Sequence, residues 1–396
     1  MPTVVVPIQG VDKDYLSQLD YALTFAAEEI TSYKIDADKL TIEAEVKSEE
    51  AREGVSNKIR ELVERYQKRE FGMPTVVHFE QKRDLVSRDV WPELLDRRWV
   101  TPIGVGHVVL RGPAAQLMSL IDAKTQKSFA AEFGAELEIY PPTIRCETLD
   151  RCQHFTSFPE HMDFVGHLKQ DLTVLNHFSN SCKDEGWSAR LHEGQMAETD
   201  LAFSPSCCYH CYEAMEGWQI EPPGRCVTAI LACHRYEGAN HTTMSRLRSF
   251  TMREVVFIGK PQFVINARAR AEEIIVDWAK DWELACTFET ANDMFFTKDY
   301  SVKASFQRQQ QAKKELRLEV PQENQSISVF SSNFHAMSFG KAFNISTGGR
   351  PATTGCIAWG LERWVYAIFS QFGCDLATWP SKLKEELAAH EARTSL

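Results

Sequence analysis

Long apolar runs are what this 396-residue chain most plainly lacks. No segment approaches the roughly 20 consecutive apolar residues that a membrane helix requires, and no charged-then-apolar stretch opens the sequence as an export signal would. A membrane span and a secreted destination are therefore not expected. A basic excess is missing too: 44 Lys and Arg stand against 55 Asp and Glu, for a formal charge of −11. Proteins that grip RNA normally display a cationic face, so this balance leans away from nucleic acid, with room left for local basic patches. The eleven cysteines are odd in number and irregularly spaced. They read as the reduced thiols of a cytoplasmic protein, some of them available to metal, and not as a disulfide framework.

What is present suits a globular enzyme. Hydrophobic residues make up 43% and charged residues 25% of a chain long enough for two domains or one large one. Residues 1–80 alternate between strand and helix patterns. Thr3 to Val6 reads as a strand, 14–30 as a helix carrying Leu16, Leu19 and Leu23, and Tyr33 to Val46 as a strand or hairpin. A charged amphipathic helix follows over 48–71 with Ile59, Leu62, Val63 and Tyr66, then a strand over 75–79. This predicts a small α+β module of unreadable role, joined by a charged linker at 81–93 to a larger domain over 94–396. In that domain a helix is expected at 113–133, a strand at 136–140 broken by Pro141 and Pro142, and a polar helical segment at 160–200. Strands follow over 226–259, a helix at about 264–284, strands near 315–320 and 326–333, and a final helix from Leu361. Antiparallel strands with helices at their edges predict an α+β fold.

Two stretches carry the chemistry. The first is Cys233-His234-Arg235-Tyr236-Glu237 followed by Arg246-Leu247-Arg248-Ser249-Phe250, running into Arg253-Glu254. The second is Gly355-Cys356-Ile357-Ala358-Trp359-Gly360-Leu361-Glu362-Arg363. Any one of these arginines alone would read as a surface residue on a hairpin; their order and spacing make the set informative. Together they resemble motifs 2 and 3 of a class II aminoacyl-tRNA synthetase, and 113–142 resembles motif 1, which in that class builds a homodimer interface. The resemblance implies a class II-like antiparallel sheet flanked by helices and the activation of an amino acid by ATP as an aminoacyl-adenylate. It implies Arg235 on the α-phosphate, where a planar guanidinium bonds two oxygens at once. It further implies Glu237 orienting the adenine, Phe250 stacking on it, and Arg246 and Arg363 holding the γ-phosphate, with Mg²⁺ bridging phosphate oxygens. Two departures stand out: His234 replaces a phenylalanine, and Ala358 replaces the first glycine of motif 3.

A sharper likeness lies in Ser204-Pro205-Ser206-Cys207-Cys208-Tyr209, in Phe250 to Glu254 and in Thr354-Gly355-Cys356. It is supported by Ser157-Phe158-Pro159, Asn292-Asp293-Met294-Phe295-Phe296 and Ser331-Ser332-Asn333-Phe334-His335. Over roughly 94–380 these segments resemble methanogen-type seryl-tRNA synthetases, and still more the amino acid:[carrier protein] ligases. The resemblance implies Zn²⁺ held by Cys208, Glu254 and Cys356 with one position open for the substrate's α-amino group. It also places Asn333 beside the substrate. The residues alone leave two other readings open: a structural zinc ribbon around Cys208-x-x-Cys211, or plain buried thiols. Cys146, Cys152, Cys182, Cys286 and Cys374 are expected to be the latter, and His210 a packing residue. Phe330, Phe334 and Trp359 stand near enough in sequence to shape the pocket.

The acceptor is the remaining question. No long helical arm accompanies 48–71, and no basic-and-aromatic motif replaces one. The expectation is transfer of the aminoacyl group to the phosphopantetheine thiol of a holo carrier protein, docked near 160–200, with no tRNA. An authentic aminoacyl-tRNA synthetase and a non-catalytic paralogue acting as a binding or regulatory protein are the alternatives. A small amino acid is the expected substrate. The module at 1–80 is expected to serve docking or assembly and not adenylation.

Overall fold

The computed structural model describes residues 1–12, 15–36, 38–67, 76–188, 194–236, 238, 243–291 and 312–394. Among them, no helix is long and apolar enough to cross a membrane. Eight strands form one sheet in the order Val77–Gln81, Cys286–Thr290, Lys313–Val320, Gln325–Ala336, Thr353–Gly360, Ser249–Gly259, Gly224–His234 and Glu136–Leu137. Every neighbouring pair is antiparallel except the last, where Glu136–Leu137 runs parallel to Gly224–His234. This is an α+β architecture, as expected.

The helix Pro261–Asp281 lies across one face of the sheet because Val264, Ala267, Ala271, Ile275 and Trp278 recur every three or four residues and share a single stripe. The helix Leu361–Phe372 is buried on nearly every side, between the sheet and the helix Gly112–Thr125. Trp278, Trp282 and Trp364 meet there with ring centroids 5.9–6.3 Å apart. Each such ring stabilises the core by about 2–3 kcal/mol relative to exposure. The opposite face is covered only in part, by the helix Cys208–Ala214 and by Phe343, Ile345 and Ala352. The uncovered part is the cavity described below.

Residues 1–67 build a second, smaller layer. Thr3–Pro7, Thr41–Val46 and Ile30–Asp36 pair antiparallel, with Thr41–Val46 in the centre. Val4, Val6, Ile42, Ala44 and Val46 alternate inward against Val55, Ile59 and Val63 of the helix Arg52–Gln67.

Four expectations need correction. The strand foreseen at 75–79 is Val77–Gln81, and it pairs with Cys286–Thr290 at the edge of the large sheet, so the first module ends before it. Alternation along a strand says nothing about which edge it will join. Residues 160–200 are not helical throughout. The helix Leu172–Glu185 is flanked by Phe164–Val165 and Leu201–Phe203, which pair with each other. The helix foreseen at 113–133 runs Gly112–Thr125 and gives way to a π-helical turn at Gln126–Ala130. The helix from Leu361 is not the last, since Ser381–Thr394 follows.

Candidate active site

The strand register assembles the site. Glu254 faces Ala358 across one ladder, Cys356 faces Val256 on the same ladder, and Asn333 faces Cys356 on the next. Side chains alternate along a strand, so Glu254, Cys356 and Asn333 fall on one face as diagonal or direct neighbours. Cys208, at the start of the Cys208–Ala214 helix, closes the group from above. One ligand atom each from Cys208, Glu254 and Cys356 lies within 4.8 Å of the others, and all three residues are buried. Among the described residues this is the one group of three metal-ligating side chains so arranged.

The group has the character of a metal centre. Glu254 Oε1 accepts from the Cys207 amide at 3.1 Å and from Ser206 Oγ at 3.3 Å. Its Oε2 is buried with no hydrogen-bond partner among the described residues. Burial holds the Glu254 carboxyl above the usual carboxylate range. The Cys356 thiol is pushed far up, first by its hydrogen bond with Cys208, then by burial and the Glu254 charge. Three acidic groups in one dry pocket, with an oxygen left over, are what a divalent cation would neutralise. Two sulfurs and a carboxylate suit a borderline-soft ion with one position open.

A ribbon does not form. Cys211 is buried beside Tyr140, while Cys226 and Cys233 sit in separate apolar clusters. His210 stacks on Tyr140 at 5.3 Å, as a packing residue. Trp359 is wholly buried against Phe129, at 4.6 Å, on the helix-covered face, so it does not shape the pocket. Its odd register position relative to Ala358 decides that.

Beside the metal group opens a cavity of about 1020 Å³, ample for a nucleotide with an amino acid. Arg235, Phe250, Asn333 and Arg363 line it together with Cys208, Glu254 and Cys356. Arg235 follows the strand Gly224–His234 and donates Nε to the Pro205 carbonyl at 2.9 Å. Its guanidinium lies 5.4 Å from the Phe250 ring centroid. Arg363, in the first turn of Leu361–Phe372, donates Nε to the Ser245 carbonyl at 2.9 Å and a terminal nitrogen to the Ser328 carbonyl at 3.3 Å. Arg246 is not among the cavity-lining side chains; it lies over the Tyr21 ring at 4.5 Å. Glu237 and the segment 292–296 lie outside the described residues. His234 stacks on Phe203 at 4.3 Å.

Sequence reasoning missed several lining residues. Two histidines, His154 and His161, face the cavity from the segment that flanks Ser157-Phe158-Pro159. Burial, followed by the Arg235 charge, lowers the His154 imidazole to about 3, and His161 is also lowered well below the usual range. Both are neutral at pH 7. Cys152, expected as a bland thiol, lines the cavity as well. Glu362 accepts from the Thr251 amide and hydroxyl, both at 2.8 Å, and ties the helix start to the Ser249–Gly259 strand. A lone His or Glu in a polar stretch carries no spacing signal; only the matched tripeptide nearby could have drawn attention to these histidines.

The antiparallel sheet, the two arginines and the aromatic platform define a class II aminoacyl-tRNA synthetase-like catalytic domain. The fold of M. kandleri SerRS, solved in complex with A. aeolicus tRNASec, matches with a TM-score of 0.72 at 20% identity, over 99% of this chain and 78% of that one. A cytoplasmic serine-tRNA ligase from Naegleria fowleri matches at 0.60 with 10% identity, covering 86% and 79%. No family model matches the sequence. Amino acid--[acyl-carrier-protein] ligase 1 of Bradyrhizobium diazoefficiens is 33% identical over 259 residues, 65% of this chain and 77% of that one. Ligase 2 of the same organism is 30% identical over 263 residues, covering 65% and 75%. The type-2 serine--tRNA ligase of Methanopyrus kandleri is 26% identical over 345 residues, covering 83% and 65%. The chain belongs to the amino acid--[acyl-carrier-protein] ligase family.

Proposed function

We propose that this protein activates a small amino acid with ATP and passes it to the phosphopantetheine thiol of a holo carrier protein. The observation that carries the reading is the single cavity in which Arg235 and Phe250 face the Cys208, Glu254 and Cys356 group. The amino acid carboxylate attacks the α-phosphorus, an acyl C–O–P linkage forms and pyrophosphate leaves. The carrier thiol then attacks the acyl carbon, a thioester forms and AMP leaves. Arg235 steadies charge on the α-phosphate in both steps, with Phe250 under the adenine. Arg363, which lines the cavity, serves the γ-phosphate, and Mg²⁺ would supply further positive charge there. Zn²⁺, when held by the three residues, supplies a Lewis-acid anchor for the substrate α-amino group. Asn333, whose Nδ2 lies 3.0 Å from Ser331 Oγ and 3.5 Å from Cys356 Sγ, fixes the substrate beside that anchor.

The surface supports two partners. Leu137 and Ile139, in and just beyond the edge strand Glu136–Leu137, are 58% and 88% exposed, which suits a homodimer interface there. The helix Leu172–Glu185 buries none of its side chains and exposes Leu172 and Leu175, which suits carrier docking. Both assignments, and a cytoplasmic location, belong to this proposal.

The tRNA reading has one observation in its favour: the type-2 serine--tRNA ligase of Methanopyrus kandleri aligns in sequence with 83% of the chain, whereas the carrier-protein ligases align with 65% of it. Charging assays with holo carrier proteins and with bulk tRNA decide. A thioester-linked amino acid on the carrier and no tRNA product is the expected result; a charged tRNA and an untouched carrier would replace this reading with the other.

A further inference from the structure

The first module meets the chain that joins Gly224–His234 to Ser249–Gly259, and the contact is built from residues that its own core does not use. Tyr21, in the helix Leu16–Leu23, is only 3% exposed, yet it takes no part in the module's apolar cluster, to which Leu19, Ala22 and Leu23 of the same helix belong. It is buried instead beneath Arg246, whose guanidinium carbon lies 4.5 Å from the ring centroid. Phe25 packs edge-on against Tyr21 at 5.5 Å. Asp20, next in the chain, feels the Arg246 charge, which opposes the upward push of burial on its carboxyl. Tyr33 donates to the Asp20 carbonyl at 2.8 Å and shares a 3.0 Å hydrogen bond with Thr24, pinning the end of this helix to the module's hairpin.

A second contact lies on the same side of the module. Gly238 sits at φ +76°, and a Cβ there would fall 1.8 Å from Thr24 Cγ2. The Thr24 side chain approaches the Gly238 backbone as closely as a glycine permits. The loop is gripped elsewhere as well. Thr243 and Ser245 hydroxyls bind Glu323, Arg363 binds the Ser245 carbonyl, and Arg248 pairs with Asp163. Tyr21 holds the residue next to Ser245, so Arg363 and Tyr21 hold consecutive positions of the loop that joins Gly224–His234 to Ser249–Gly259.

We propose that Tyr21 is a positioning residue for ATP binding: it holds Arg246, and through Arg246 the loop that follows Arg235 and whose Ser245 carbonyl anchors Arg363, so the first module belongs to the adenylation machinery. A cation over an aromatic ring keeps its charge available while restricting its motion, which lowers the ordering cost when a triphosphate arrives. This stands in place of the expectation that residues 1–80 serve docking or assembly and not adenylation. It rests on the adenylation reading given above.

The test is ATP–pyrophosphate exchange at varied ATP. Tyr21→Leu raises KM for ATP about tenfold while kcat, KM for the amino acid and metal content stay at wild-type values. Tyr21→Phe, which keeps the ring, behaves as wild type. In an Arg246→Ala background Tyr21→Leu adds nothing further. An unchanged KM for ATP in folded Tyr21→Leu, or full additivity with Arg246→Ala, overturns the proposal. If Tyr21→Leu does not fold, Gly238→Ala opens the same joint by driving a methyl into Thr24; it supports the proposal if KM for ATP rises and refutes it if KM does not. Amide hydrogen exchange over 243–248 separates this from the adenylation reading. Lost protection in Tyr21→Leu supports the contact, and unaltered protection refutes it, even if the wild-type protein shows no pyrophosphate exchange, a result that would sink the adenylation reading.

Discussion

Arg253 and Glu254 are neighbours on one strand and both are almost wholly buried, yet the two faces of the sheet treat them in opposite ways. On the helix-covered face, Arg253 donates Nε to Asp122 Oδ1 at 2.6 Å and a terminal nitrogen to Oδ2 at 3.0 Å, with a further bond to Thr228 Oγ1 at 3.3 Å. The charge is neutralised within the protein, and wholly buried aromatic residues such as Phe129 and Trp359 pack on the same side. On the cavity face, Glu254 keeps one oxygen without a hydrogen-bond partner among the described residues, beside the Cys356 thiol that its hydrogen bond with Cys208, burial and the Glu254 charge push up. A buried charge that is fully paired builds architecture; one left partly unmet marks where something else binds.

Substitutions on the two faces should therefore fail differently. The largest effect is expected at the phosphate end. Arg235→Ala and Arg363→Ala should each lower amino-acid-dependent ATP–pyrophosphate exchange by about a thousandfold while leaving a folded protein. Near-normal exchange in both would remove catalysis from the cavity face. Next comes the paired face. Asp122→Ala strands the Arg253 charge and should cost about 3–5 kcal/mol in urea unfolding, with activity lost only as folding is lost. Glu254→Gln should do the reverse: metal content falls to near zero while stability of the metal-free protein changes by no more than about 1 kcal/mol. A large stability loss in Glu254→Gln with metal retained would erase the distinction between the faces.

The comparison sharpens among the cysteines. Cys208→Ala should lose the metal, whereas Cys211→Ala should keep it and cost about 1 kcal/mol of packing. Elemental analysis giving the opposite pattern would move the ion to the Tyr140 side of the helix. The smallest effect is expected at Ala358, which lines the cavity opposite Glu254 and Ser331. Ala358→Gly should shift KM for ATP by no more than about twofold, equivalent to roughly 0.5 kcal/mol. A tenfold change would mean that this methyl group touches the nucleotide.

Much of this was legible in the chain itself, because the signals were local. Cys208, Glu254 and Cys356 sit in short segments whose residue types define a donor set, and Arg235 and Arg363 stand at fixed distances from strand ends that patterning could locate. The end of the strand Ser249–Gly259 and the start of the helix Leu361–Phe372 were both foreseen. Their apolar periods are strong, and short turn signals bound them.

What the sequence determined alone was the set of chemistries available: two thiols and a carboxylate for a metal, and arginines ordered for phosphates on an antiparallel sheet. Tertiary structure decided which groups meet. It put Val77–Gln81 on the far edge of the large sheet, brought His154 and His161 to the cavity and carried Tyr21 to Arg246 across more than two hundred positions of chain. Such pairings leave no periodic trace, since hydrophobic patterning specifies which face of an element is buried and not which distant element will cover it.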